Sequence, residues 1–238
     1  MVEKHKIPED FKAVILAGGK GTRLHPYTIA LPKPLVPIRD KPILEIVMKQ
    51  LKSAGIREIV ISVGHLAELI MAFFKKGEKW KVNIDYAIED KPLGTMGPLA
   101  MIENLGENFL VMNGDVLSDL DYQAFYQAHV ESEAIMTVAT YRRQANIDFG
   151  ILRYDDQTHR IESFTEKPSI PYDVSMGIYI LSRRCLKYIP RKKYFGFDDL
   201  MLTLLENGEK VQSFPHKGQW LDIGRPEDYE TANSQYYD

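Results

Sequence analysis

Cysteine is nearly absent. Cys185 is the single one in 238 residues, which excludes an intrachain disulfide framework and fits a reducing cytosol. Cys185 itself reads as small apolar filler, and a cytoplasmic location is expected. Long hydrophobic runs are missing too; none reaches the ~20 residues that a membrane-spanning helix needs. The opening MVEKHKIPED is charged and has no apolar stretch, so no secretory signal is expected there. Neither sign of charge is in excess: 30 Lys and Arg stand against 33 Asp and Glu, a net of −3. Nucleic-acid binders need a basic face, so nucleic acid is not expected as the partner. The histidines show no metal-ligand spacing: His65, His129, His159 and His216 stand apart, and His25 is as well placed for a loop surface as for a site. No internal repeat, low-complexity tract or interdomain linker interrupts the chain. With 45% hydrophobic residues, it can bury the core of one domain.

What the sequence does have is concentrated at its start. From Leu16 to Ile38 it reads LAGGKGTRLHPYTIALPKPLVPI. Phe11–Leu16 is an apolar run of strand length that breaks at Gly18-Gly19. A buried strand opening into a glycine-rich turn lets backbone N–H groups reach an anion, because no Cβ atoms block the way. Arg23 adds a planar fork suited to phosphate oxygens, and Lys33 a mobile point charge. Pro32, Pro34 and Pro37 are expected to hold the segment around Lys33 extended. These features predict a polyphosphate site. It is not a Walker A loop, since G-x-x-x-x-G-K-[ST] does not occur. It is not the dinucleotide fingerprint either, because Leu24 stands where the third glycine of G-x-G-x-x-G is required. A nicotinamide-dependent oxidoreductase is disfavoured on that ground.

G-G-x-G-T-R-L-x-P-x-T over Gly18–Thr28, followed by P-K-P-L-x-P-I over Pro32–Ile38, resembles the signature of the sugar-1-phosphate nucleotidylyltransferases, or NDP-sugar pyrophosphorylases. The resemblance continues through Pro92-Leu93-Gly94-Thr95, Asn113-Gly114-Asp115, Phe149-Gly150, Glu166-Lys167-Pro168, Met176-Gly177-Ile178-Tyr179 and Trp220-Leu221-Asp222-Ile223-Gly224. It implies attack of a sugar 1-phosphate oxygen on the α-phosphorus of a nucleoside triphosphate, with pyrophosphate leaving. Such in-line transfer needs charge neutralisation and alignment more than covalent help. Magnesium suits that task, held by carboxylates, phosphate oxygens and water. By resemblance, Arg23, Lys33 and Asp115 are the catalytic residues, and Asp115 and Asp222 the metal ligands. Leu16, Ala17, Gly18, Gly19, Gly21, Thr22, Arg23, Lys33, Glu89, Gly94 and Thr95 would bind the nucleotide, and Asn113, Gly150, Glu166, Lys167 and Ser175 the sugar phosphate.

The residues agree with the two aspartates. Asp115 follows the apolar strand Phe109–Met112, at a carboxyl end where ligands of open α/β sheets bind. Asp222 is a carboxylate inside an apolar stretch and needs a partner there. A turn cap remains the alternative for Asp115 and a structural ion pair for Asp222. Asp119, Asp121, Asp155 and Asp156 read as caps, turns and surface. Ser175 departs from the Asn carried by many relatives, and a hydroxyl reaches less far than an amide.

The base is read from Glu89. Thymidylyl and uridylyl relatives often place a Gln near this position, whereas a carboxylate can accept from guanine N1–H and N2–H₂ together. The Pro92–Thr95 and Gly97-Pro98-Leu99 stretch also resembles the mannose-1-phosphate guanylyltransferases more than the thymidylyl branch. GTP is therefore favoured, with UTP, dTTP or CTP as alternatives and a solvated strand end as the plain reading of Glu89. A non-catalytic sugar-nucleotide sensor is the rival from another class; retention of Arg23, Lys33 and both aspartates speaks against it. The partners expected are the two small-molecule substrates, with no membrane, and a homo-oligomer stays open.

Periodicity predicts helices over Pro42–Ala54, His65–Lys76, Thr95–Leu105, Asp121–Glu131, Arg183–Ile189, Asp198–Glu206 and Pro226–Tyr236. Strands are predicted over Ile56–Val63, Val82–Ile88, Phe109–Met112, Ala134–Tyr141, Phe149–Tyr154, Arg160–Thr165 and Val174–Leu181. The βαβα opening followed by closely spaced strands implies an α/β fold, a Rossmann-like three-layer sandwich with a mixed, mainly parallel central sheet. Residues 1–10 read as a solvated tail and 11–238 as a single nucleotidyltransferase domain, nucleotide-binding in its first half and sugar-phosphate-binding in its second. Many relatives continue into a left-handed β-helix or regulatory module, so neither acyltransfer nor control housed in such an extension is expected.

Overall fold

Alternation along the first strand dictates the layers. In a computed structural model, which describes residues 5–235, β1 (Lys12–Ala17) turns Ala13, Ile15 and Ala17 to one side and Val14 to the other. A strand buried on both faces needs a helical layer on each. The first is built by α1 (Ile43–Ser53), which the short β2 (Pro37–Ile38) and β3 (Lys41–Pro42) lead into, and by the next two α-helices of the chain. β4 (Glu58–Val63) leads to α2 (Ala67–Phe74), β5 (Asn83–Ile88), β6 (Asn108–Asn113) and β7 (Val116–Ser118), and then to α3 (Tyr122–Ser132). Asp121 caps α3, accepting from the Ala124 N–H at 2.9 Å, as a side-chain acceptor at that position should. β8 (Met136–Asn146), β9 (Ile151–Tyr154), β10 (Ile161–Thr165) and β11 (Ser169–Ser182) follow. The chain ends through α4 (Phe197–Glu206), β12 (Val211–His216), β13 (Trp220–Asp222) and α5 (Pro226–Gln235). The last residue of the predicted final helix, Tyr236, lies outside the described residues.

The seven-stranded sheet runs β12-β8-β11-β6-β1-β4-β5. β11 is antiparallel to both neighbours, and the other pairings are parallel, which is the mixed, mainly parallel sheet predicted. Leu44, Phe74 and Phe125 fill the core on one face, and Leu99, Cys185, Leu200 and Leu204 that on the other. Burial pushes the Cys185 thiol up to about 12, so it is the inert apolar filler its neighbours suggest. The chain steps outward from β1 to β4 and β5, then returns to the opposite side of β1 as β6. That reversal opens a crevice beyond the carboxyl ends of β1 and β6, where ligands bind in such sheets.

Three expectations are corrected. Thr95–Leu105 is not a helix: only Gly97–Met101 coils, as a 3₁₀ turn. Gly97 is pressed against the backbone of another loop, where a Cβ would lie 2.9 Å from the Lys193 carbonyl oxygen, so tertiary contact overrides the apolar spacing. Lys33–Leu35 is not extended either. It forms one 3₁₀ turn, closed by the Leu35 N–H to the Pro32 carbonyl at 2.8 Å; Pro34 sits early in that turn, where its missing N–H costs nothing. Arg183–Ile189 is likewise 3₁₀ over Arg183–Tyr188. The segment before β1 is tied down at two points, since Gln123 accepts from the Ile7 N–H at 3.1 Å and donates to the His5 carbonyl at 2.6 Å. Among the described residues, no helix is long and apolar enough to cross a membrane.

Candidate active site

The crevice beyond β1 and β6 is a cleft of about 410 Å³ lined by residues from six separated stretches of chain. All eleven residues assigned to the nucleotide line it, from Leu16 and Ala17 through Gly18, Gly19, Gly21, Thr22, Arg23 and Lys33 to Glu89, Gly94 and Thr95, as do Asn113 and Asp115. The glycine loop owes its path to close contacts. Gly21 has φ 61°, and a Cβ there would meet Lys33 Cβ at 3.1 Å; the Thr28 hydroxyl donates to its carbonyl at 2.7 Å. Leu24 is fully buried and anchors the turn carrying Arg23. Pro32 and Pro34 are buried on either side of Lys33, which fixes the base of its side chain.

Lys33 Nζ donates to Asp115 Oδ2, with both side chains largely withdrawn from solvent. Asp115 is placed there by Gly114, whose N–H donates to the Leu16 carbonyl at 2.9 Å; a Cβ at Gly114 would crowd that oxygen at 3.0 Å. Asp222 arrives from the far end of the chain because β13 pairs with β7, matching Asp222 to Val116. The Ile223 N–H donates to the Asp115 carbonyl at 3.1 Å, which completes the link. Burial, and next the Asp115 charge, hold the Asp222 carboxyl above the usual carboxylate range, while Lys33 and Arg23 pull it back. Asp222 is itself solvent-exposed and stands outside the cleft lining proper, so desolvation here comes from packed neighbours rather than full enclosure. Two carboxylates and two cations thus converge at one end of the crevice. The other oxygen of Asp115, Oδ1, is buried without a hydrogen-bond partner. A buried acceptor left unpaired beside a second carboxylate is what a cation would satisfy. Among the described residues no group of three or more His, Cys, Asp or Glu gathers; magnesium commonly needs only one or two carboxylates, the rest being phosphate and water.

Over residues 12–238 the chain matches the family described as Nucleotidyl transferase. The chain belongs to the nucleotidyl transferase family. It is 35% identical over 237 residues to the mannose-1-phosphate guanyltransferase of Schizosaccharomyces pombe, across 94% of this chain and 64% of that protein. It is 34% identical over 238 residues to the UTP–glucose-1-phosphate uridylyltransferase of a Synechocystis species, across 92% of this chain and 61% of that one. The chain therefore spans a little under two thirds of the length of these curated relatives. A crystal structure of HddC from Yersinia pseudotuberculosis complexed with GMP-PN is similar at a TM-score of 0.73 and 30% identity, covering 95% of this chain and 100% of that one. A putative glucose-1-phosphate thymidylyltransferase from Bacillus anthracis, at a TM-score of 0.76 but 24% identity over 94% of each chain, shares the fold.

Glu89 is built into the glycine loop. It accepts from the buried Ser62 hydroxyl at 2.9 Å and from the Leu93 N–H at 3.0 Å, one bond on each oxygen. A Cβ at Gly18 would lie 2.6 Å from Glu89 Oε1, so only glycine lets the carboxylate approach. A carboxylate has about four acceptor positions, and Glu89 keeps capacity on both oxygens.

The residues assigned to the sugar phosphate divide in two. Asn113 lines the cleft, and Ser175 is near it through Gly177, where a Cβ would touch the Asn113 amide at 2.6 Å. The Ser175 hydroxyl donates to Tyr179 Oη at 3.1 Å and accepts from the Gly177 N–H at 3.2 Å. Gly150, Glu166 and Lys167 lie outside the cleft lining, exposed on the arm formed by β9, β10 and the outer parts of β8 and β11. Gly150 and Glu166 are neighbours there, a Cβ on the glycine falling 3.0 Å from Glu166 Oε2.

Pro34, Pro92, Gly114 and Gly224 also line the cleft, all within motifs already singled out. Tyr194 does not belong to any motif. It is 69% exposed, on a loop whose only sequence signal is an aromatic pair flanked by Lys193 and Gly196. Asp119 is the exposed turn acceptor expected, but His216 does not stand apart. Asp119 Oδ1 accepts from the Gln219 N–H at 2.6 Å and meets His216 Nε2 at 2.9 Å. This brace fixes the residue leading into Trp220–Asp222, and Trp220 Nε1 donates to the Met176 carbonyl at 3.1 Å.

Proposed function

We propose that the chain condenses a nucleoside triphosphate with a sugar 1-phosphate, giving an NDP-sugar and pyrophosphate. The observation that carries this reading is the meeting of Arg23, Lys33, Asp115 and Asp222 at one end of the glycine-lined crevice. A sugar-phosphate oxygen attacks the α-phosphorus, the bond to the bridging β-phosphate oxygen breaks, and pyrophosphate departs with the electron pair. The glycine-loop N–H groups and Arg23 bind the triphosphate, and Lys33 offsets negative charge growing on the α-phosphoryl oxygens. Lys167 and Glu166 take the sugar phosphate and sugar hydroxyls, with Gly150, Asn113 and Ser175 close to the ring. Asp115 and Asp222 would hold Mg²⁺, which when bound supplies charge neutralisation and alignment of the two anionic substrates. The proposed location of this reaction is the cytoplasm.

GTP is the proposed nucleotide. Glu89 lines the cleft with acceptor capacity left on both oxygens, the edge that guanine's adjacent donors require. A pyrimidine would present carbonyl oxygens to it. The guanyltransferase and uridylyltransferase relatives differ in the base they name, so the base needs its own test. In a matrix of nucleoside triphosphates against sugar 1-phosphates, read by pyrophosphate release, GTP should give the highest kcat/KM. Glu89→Gln should penalise GTP, because a mismatched edge leaves buried polar groups unpaired. A wild-type preference for UTP, dTTP or CTP sinks the guanine assignment and leaves the reaction class standing; no pyrophosphate release with any pair favours the sensor.

A further inference from the structure

A second cleft, of about 570 Å³, is lined by residues 99–105, Arg183, Leu186, Ile189, Arg191 and Lys192. Leu99, Ile102, Leu186 and Ile189 give it an apolar floor. Three exposed cations stand around it against one acid, Glu103. None of the three has a side-chain ion pair or hydrogen bond among the described residues. Two of its lining residues, Lys192 at φ 57° and Asn104 at φ 58°, hold left-handed backbone. Asn tolerates that region, but for lysine it is uncommon, and such strain gathers where ligands are clamped.

We infer that this cleft binds an organic phosphate, whose anionic group the three cations hold and whose carbon skeleton covers the apolar floor, and that its occupancy is felt at the active site. The route is short. Arg191 and Lys192 line the second cleft while Tyr194, two residues on, lines the first. Between them the chain is locked to the active-site segment: the Phe195 carbonyl accepts from the Met96 and Gly97 N–H groups, each at 3.0 Å, and the Phe195 N–H donates to the Leu93 carbonyl at 2.8 Å. At Gly94, φ 78°, a Cβ would fall 2.6 Å from the Phe195 oxygen. Residues 93–97 and 193–195 therefore move together or break three hydrogen bonds. Drawing Arg191 and Lys192 toward a phosphate shifts Gly94, Thr95 and Tyr194, which wall the nucleotide cleft. The effect on rate rests on the catalytic reading above; the binding does not.

The test uses the whole chain with ¹⁵N-labelled arginine, titrated with AMP and with inorganic phosphate. The side-chain N–H signals of Arg183 and Arg191, identified by substitution, should move saturably with AMP. The Arg183 movement should persist in Arg23→Ala, which impairs the first cleft, and vanish in Arg191→Gln/Lys192→Gln. With both substrates saturating, so that AMP does not compete in the first cleft, AMP should change the wild-type kcat for pyrophosphate release and leave the double variant flat. Signals that stay still with both probes, or that move only while Arg23 is intact, overturn the site. Binding without any change in rate overturns the coupling. A silent titration in an active enzyme removes this inference alone, whereas a saturable titration in an inactive chain removes only the catalytic reading.

Discussion

Asp115→Asn should lower turnover at least ~10²-fold, the scale of losing a group that stabilises transition-state charge, while the fold stays intact. The substitution is isosteric, and the amide oxygen can still accept from Lys33, so the hydrogen bond survives although the lysine loses its counter-charge. What is lost is the charge on Oδ1, the buried oxygen with no protein partner. Asp222→Asn should cost a similar factor, with a second effect of opposite sign. The folded protein holds the Asp222 carboxyl above its ordinary value, first through burial and next through Asp115. For an acid with a raised folded pKa, ionisation costs stability at pH values above its unfolded pKa. That cost disappears as pH falls through the folded value. In metal-free protein, Asp222→Asn should therefore melt higher than wild type at neutral pH, and the gap should close on acidification toward the ordinary carboxylate range of about pH 4. Magnesium should raise the wild-type Tm more than the variant's, since it binds only the folded pair. Melting curves with and without EDTA, beside pyrophosphate-release assays, measure both effects; near-normal magnesium-dependent turnover in both variants removes the metal assignment.

The elements legible in the sequence are those whose burial pattern is local. β1, β4 and β6 are apolar runs that the sheet buries on both faces, and α1 carries its apolar stripe in its own spacing. β12 was not foreseen, because Val211–His216 is a half-exposed edge with Pro215 in it, a residue that edge strands tolerate and central ones do not. β11 begins at Ser169 rather than Val174, since its outer half pairs with an equally exposed stretch of β8 and hydrophobic alternation gives no sign of that. The glycine loop was legible because its lining residues are contiguous and its chemistry is carried by residue type. Tyr194 and the Asp119–His216 brace were not, because only tertiary contacts, the Phe195–Gly94 clamp and the β7–β13 pairing, bring them into place. Glu89 was found for its chemistry, but its bonds to Ser62 and Leu93, which hold the loop, were not readable from position.

The two anion sites should separate by substrate. Arg23 lines the crevice near Asp222, where a Cβ at Gly224 would lie 3.8 Å from Asp222 Oδ1 and 4.0 Å from an Arg23 guanidinium nitrogen. Arg23→Ala should chiefly impair the triphosphate and its transition state, raising nucleotide KM and lowering kcat. Lys167 sits on the exposed arm, so Lys167→Ala should chiefly raise KM for the sugar phosphate. Each substitution removes a charge-assisted hydrogen bond worth roughly 1.5–3 kcal/mol, or about ten- to a hundred-fold. The fold is a fair constant in both. Arg23 is exposed, and at Lys167, with φ 40°, alanine is no more strained than lysine. Saturation curves for each substrate, with the other held in excess, measure the split. A Lys167→Ala enzyme impaired only toward the nucleotide would reverse the orientation of the two substrates in the crevice. Because the arm lies outside the cleft lining, an unimpaired Lys167→Ala enzyme would assign the sugar phosphate to the cleft's own groups, Asn113 and Lys33 first among them.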